Sequence, residues 1–174
     1  MSRDLATLAY ILDALASRRA GRSGWTIWRD AQATHRWLVP SWERLAETTE
    51  AAGVGFFGEL RPRGADRFPS HLEPLVAETA AAQGWLLAYL NVRFDQGPVY
   101  ANLVVVTERS AVHALAGDAA HAEAVVRAAA TYETIRIHRF ALVGPPAARP
   151  PIEVIERLHI DYRTLPPRRE VRAV

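Results

Sequence analysis

The chain contains no cysteine and no lysine. Without cysteine there is no disulfide, no thiolate nucleophile and no Cys-ligated zinc or iron–sulfur centre. Without lysine there is no internal Schiff base; all 21 cationic side chains are arginine, which fits a GC-rich coding bias. The formal net charge of +2 is too small to imply a nucleic-acid partner, and no basic run is interleaved with aromatics as a single-strand binder requires. No apolar run approaches the ~20 residues of a membrane span. Asp4 and Asp13 interrupt the N-terminal apolar stripe where a signal peptide needs an uncharged segment. The expectation is a cytoplasmic protein with no membrane and no nucleic-acid partner. Catalytic signatures are also missing: there is no HExxH, no glycine-rich phosphate loop and no G-x-S-x-G.

What is present suits a single folded domain: 174 residues, 49% apolar and 23% charged. Leu5, Leu8, Leu12 and Leu15 recur at helical intervals and predict a helix over residues 4–19. Residues 25–50 carry Trp25, Trp28, Trp37 and Trp42, with Ser41 placed to cap a helix that Gly53 would stop. Residues 1–53 therefore read as a helical, Trp-rich N-terminal extension whose aromatics serve core packing or a subunit contact.

From Val54 the pattern becomes regular. Val54–Leu60 reads as a strand, followed by a helix capped at Ser70 and stopped at Gly84. Trp85–Phe94 and Val99–Glu108 form a hairpin around Asp95-Gln96-Gly97-Pro98, and Asp118 caps a second helix that runs into the strand Tyr132–Val143. This predicts an α+β fold over residues 54–144: a ferredoxin-like βαββαβ antiparallel sheet with its helices on one face. Residues 145–174 read as a Pro-rich linker, an extra strand or arm from Ile152 to Arg163, and a loose tail.

The predicted strands have two chemically distinct faces. Leu86, Ala88, Leu90 and Val92, with Ala101, Leu103, Ile135 and Ile137, suit the helix-covered side. The other side would then carry Trp85, Tyr89 and Asn91, then Tyr100 and Asn102, then Arg136, His138 and Phe140, joined by either Phe57 with Glu59 or Phe56 with Leu60. That mixture is the composition of a small-molecule pocket. Closing it against the same face of a second copy would give a barrel and a homodimer.

The element order and mixed inner face resemble the dimeric α+β barrel superfamily. Its members include cofactor-independent monooxygenases, polyketide cyclases, muconolactone isomerases and haem-binding chlorite dismutases and aldoxime dehydratases. The segment VHALAGDAAHAEAVVRAAATYETIRIHRFALV is similar to the haem-dependent aldoxime dehydratase group, where a helix with two histidines three residues apart precedes a strand of the type L-R-L-x-H. Here Asp118 stands where that resemblance puts the haem-ligand histidine, His121 keeps the second position, and His138 falls near the distal-side histidine. An anionic Asp is a poor haem ligand beside imidazole.

The main expectation is an enzyme of cyclase, isomerase or cofactor-independent monooxygenase type acting on a hydrophobic or aromatic metabolite. His138 would be its acid/base and Arg136 its fork for a carboxylate or enolate oxygen, unless Arg136 pairs with Glu59 instead. Asn91 and Asn102 would reach a ligand carbonyl, and Tyr89, Trp85, Phe140 and Glu59 would complete the substrate wall. No cofactor is expected. The alternatives are a haem protein using His138 and His121, and a non-catalytic ligand-binding or scaffold protein. His35, His71 and His113 have no spacing suited to a metal.

Overall fold

The structure, a computed structural model, describes residues 3–18, 23–62, 72–97, 99–114 and 117–174. Among these, helices α1 (Arg3–Ser17), α2 (Trp42–Glu47), α3 (Leu72–Ala82), α4 (Arg109–Ala114) and α5 (Ala119–Thr131) accompany eight strands. The strands are β1 (Gly24–Arg29), β2 (Ala33–Val39), β3 (Glu50–Leu60), β4 (Leu86–Phe94), β5 (Val99–Val106), β6 (Tyr132–Val143), β7 (Ile152–Asp161) and β8 (Arg168–Ala173). All belong to one antiparallel sheet in the order β1-β2-β4-β5-β3-β6-β7-β8. The fold is α+β. No helix of the described residues is long and apolar enough to cross a membrane.

Local chemistry explains several boundaries. Asp118 accepts a hydrogen bond from the His121 backbone N–H at 2.8 Å and starts α5, so this position is used for capping. Ser41 accepts from the Arg44 N–H at 3.2 Å and starts α2 as expected, but that helix ends at Glu47. Gly53 does not stop it; it lies inside β3, where a Cβ would run into the Phe140 ring of the neighbouring strand. The expected helix cap at Ser70 lies outside the described residues.

Within the Trp-rich segment only Trp42–Glu47 is helical. Residues 24–39 form the β1–β2 hairpin, its turn held by Asp30, whose carboxylate accepts from the Gln32 and Ala33 N–H groups at 2.8 and 2.9 Å. Strand β2 pairs with β4, so residues 24–39 extend the central sheet and do not form a separate layer. The alternation of His35, Trp37 and Val39 with Thr34, Arg36 and Leu38 is the period of two that the tryptophan count obscured. At the other end, β7 is the expected added strand, while the tail forms β8 and closes the sheet edge.

Helices lie on both sides of the sheet. On one side Leu8, Ile11, Leu12 and Leu15 of α1 and Leu45 of α2 are buried against Trp37, Leu90, Leu103, Phe57 and Phe140. Each such aliphatic side chain contributes roughly 1.5–3 kcal/mol by leaving water. On the other side Val76, Ala77 and Ala80 of α3 and Ala128 of α5 cover Tyr89, Val104 and Ile135 more loosely.

This arrangement corrects the face assignment. Register runs Leu90–Leu103–Gly55–His138 in one row and Asn91–Asn102–Phe56–Ile137 in the next. Arg136, His138 and Phe140 therefore share a face with Leu90 and Leu103, opposite Tyr89, Asn91, Tyr100 and Asn102. Strands β5 and β6 are not neighbours; β3 lies between them, and its adjacent Phe56 and Phe57 left the parity of the join undecided. The face holding Arg136 and His138 is covered by α1 and α2 of the same chain, so no second copy is needed to cover it.

Candidate functional site

The Arg136–His138 group is closed by the N-terminal helix. Arg136 donates to Asp4 through Nε at 2.9 Å and Nη2 at 3.1 Å, and His138 Nε2 lies 2.8 Å from the same carboxylate. Arg136 Nη1 also donates to Glu59 at 3.0 Å, and the Thr134 hydroxyl donates to the other Glu59 oxygen at 3.1 Å. Burial alone would raise the Asp4 carboxyl, but hydrogen bonds from His138 and Arg136 outweigh it and hold the group down at about 2. Asp4 also lies in the first turn of α1, where a negative charge suits the helix dipole. The Phe57 ring meets His138 edge-on with 5.5 Å between centroids. These groups bond to one another and fasten α1 to β6, while His138 Nδ1 stays buried without a hydrogen-bond partner.

A second polar cluster fastens the middle of α1 to the hairpin. Tyr10 Oη donates to Asp30 at 2.5 Å, His35 Nε2 lies 2.8 Å from the same Asp30 oxygen, and Tyr10 and His35 are 3.0 Å apart. Trp28 stacks flat on the His35 ring at 4.4 Å, and the Arg18 guanidinium lies 3.7 Å from the Trp28 ring centre. The aromatic-rich segment thus serves packing within the chain.

On the opposite face, α3 and α5 stand off the sheet around a cavity of about 410 Å³. Its floor is apolar, with Val54 and Phe56 from β3, Ile135 and Ile137 from β6 and Leu158 from β7. Polar groups gather at one end: Glu73 from α3 with Tyr89, Tyr100 and Asn102 from the sheet. Glu73 is only 9% exposed, and its Oε1 has no hydrogen-bond partner. Arg36 Nε is the facing cation, 3.8 Å away and beyond hydrogen-bond reach. Burial pushes the Glu73 carboxyl above its ordinary value, against the opposing pull of Asn91, Arg36 and Tyr100. The Asn102 Nδ2 and Asn91 Oδ1 atoms are likewise buried without partners. Burial also raises the Tyr89 hydroxyl, with the Glu73 charge adding to it. His121 of α5 lines the far wall, its pKa lowered by burial against the pull of Asp118.

Of the residues singled out from the sequence, Tyr89 and Asn102 line this cavity, and Asn91 is buried beside Glu73. Arg136, His138, Glu59 and Phe140 lie on the other side of the sheet and do not join them. Trp85 packs at the edge of the α3 cluster and does not reach the cavity wall. His121 lines the cavity while His138 is enclosed under α1, on opposite sides of the sheet. Among the described residues no group of three or more His, Asp or Glu is arranged to hold a metal ion.

Sequence reasoning passed over Glu73, yet a signal existed. Glu73, Val76, Ala77 and Ala80 follow the i, i+3, i+4, i+7 spacing of the buried stripe of α3, so this carboxyl stands on the apolar face. A charge there is costly unless the site uses it. Comparison with known proteins returned nothing: no family model, no curated protein and no solved structure matches the chain.

Proposed function

We propose that this protein is a small-molecule enzyme that performs acid/base chemistry on a hydrophobic or aromatic metabolite in the cavity between α3, α5 and the sheet. The reaction is of the cyclase or isomerase type and requires no cofactor. The observation that carries this reading is the Glu73 carboxyl, desolvated, raised and without a hydrogen bond at Oε1, its Arg36 counter-charge 3.8 Å away, on the wall of a cavity of about 410 Å³. A carboxyl shifted toward neutral pH can both take and return a proton. Asn102 Nδ2 and the Tyr89 hydroxyl supply neutral donors to an oxygen on which negative charge develops. This reading moves the acid/base role from His138, which is committed to Asp4, to Glu73.

The chain order β3-α3-β4-β5-α5-β6 and the spatial order β4-β5-β3-β6 support a ferredoxin-like reading of the centre, elaborated by β1, β2, β7 and β8. In that frame the cavity lies between the sheet and its own helices.

The test is proton exchange alpha to a carbonyl. With 2-tetralone in D₂O, NMR should show protein-dependent loss of the alpha-proton signals. Glu73→Gln should abolish that exchange while leaving 2-tetralone binding within about threefold. Binding without Glu73-dependent exchange would overturn the enzyme reading and leave a ligand carrier.

A further inference from the structure

The cavity is asymmetric in charge. Its inner end holds Glu73, Tyr89, Tyr100 and Asn102. Its outer end reaches β8, where Arg169 joins the lining. Register places Tyr100, Gly58, Ile135, Ile160 and Arg169 in one row across β5, β3, β6, β7 and β8. Four interstrand steps separate Tyr100 from Arg169, which is roughly 19 Å of sheet at the usual spacing. Between them the surface is apolar, formed by Ile135 and Ile160 with Ile137 and Leu158 of the adjacent row.

Arg169 differs from its neighbours on β8. Arg168 and Arg172 both pair with Glu170, at 2.6 and 3.1 Å. Arg169 forms no ion pair among the described residues, although it lies on the cavity side next to Tyr162, whose hydroxyl it pulls down against the effect of burial. An unpaired guanidinium at the mouth of an apolar channel is a fork for a planar anion.

Resting on the cavity assignment above, we infer that the substrate class is an elongated apolar or polycyclic carboxylic acid, bound with its carboxylate on Arg169 and its opposite, oxygen-bearing end beside Glu73 and Asn102. The distance sets the shape: a small compact ketone would reach one pole only, whereas a molecule of several fused rings or a long chain reaches both. Two carboxyls at the same end would repel, so the ligand's charge belongs at the arginine end and its neutral oxygen at the Glu73 end.

Two fluorescent probes with the same apolar body test this: 4-(pyren-1-yl)butanoic acid and 4-(pyren-1-yl)butanol. The acid should bind wild-type protein about tenfold more tightly than the alcohol, the scale of one charge-assisted contact at a solvated mouth. Arg169→Gln should remove that advantage and leave the alcohol unchanged. Arg172→Gln, which removes the same charge from the same strand, should alter neither. Equal binding of acid and alcohol, or equal losses in both variants, would overturn the carboxylate assignment while leaving the cavity reading intact. Failure of both probes to bind would overturn the cavity reading and this inference together.

Discussion

The two faces of the sheet bury similar numbers of polar groups, and both leave some of their atoms unpaired, but they differ in the space beside those groups. Under α1, Asp4, Arg136, His138, Glu59 and Thr134 share hydrogen bonds within about one residue's reach of each other, sealed by Phe57 and Phe140. Under α3 and α5, Glu73, Asn91 and Asn102 each keep a buried atom without a hydrogen bond, and an open volume adjoins them. Polar residues bonded to one another hold the fold together, even where one atom, His138 Nδ1, stays buried and unpaired. Those left unsatisfied beside empty space are available to a ligand.

Substitutions of comparable size should separate the faces. Leu8→Ala, at a fully buried position under α1, should cost about 3 kcal/mol, because a close-packed site pays for transfer and for the new cavity. Ile137→Ala, beside space that already exists, should cost nearer 1 kcal/mol. Equal losses in urea unfolding would remove the contrast in packing.

The acid dependence of stability sharpens the electrostatic side. The Asp4 carboxyl falls from 3.8 to about 2 on folding, so its contribution of roughly 2 kcal/mol is complete above pH 4 and is lost as pH falls toward 2. Asp4→Asn should flatten that part of the pH–stability curve.

The smallest effect has the opposite sign. Glu73 is raised on folding, so its contribution is complete below the ordinary value of 4.5 and is lost as pH rises through the folded-state value. Glu73→Gln should therefore be more stable than wild type at pH 8, with the gap closing by pH 4.5. A variant less stable than wild type at pH 8 would place Glu73 in a satisfied network like that of Asp4.

Strands β4, β5 and β6 were legible in the sequence because β-branched and aromatic runs bounded by turn residues leave little choice. The α5–β6 junction was legible too, since Asp118 marks the cap and Tyr132 begins the alternation. The β1–β2 hairpin was not, because its turn lacks glycine and its tryptophans read as bulk before they read as period. Nor was the site. Helices cover both faces, so nearly every central strand position is buried and alternation no longer separates core from site. Tyr89, Asn91, Tyr100 and Asn102 were grouped correctly with one another, but on the side expected to be free of α3 and α5, and they were joined to Arg136 and His138 across an unresolved parity. The register of β3 alone decides that join, and it is a long-range property.

The clasp at Asp4 also sets an order of events during synthesis. Asp4 and Arg136 are 132 residues apart in the chain, so α1 cannot be clasped until β6 has been translated. At ordinary elongation rates that interval is on the order of 10 s. Throughout it Leu8, Ile11, Leu12 and Leu15 have no β6 to close over them. Until β6 emerges, the apolar face of α1 must be held off other chains by whatever else is there to meet it.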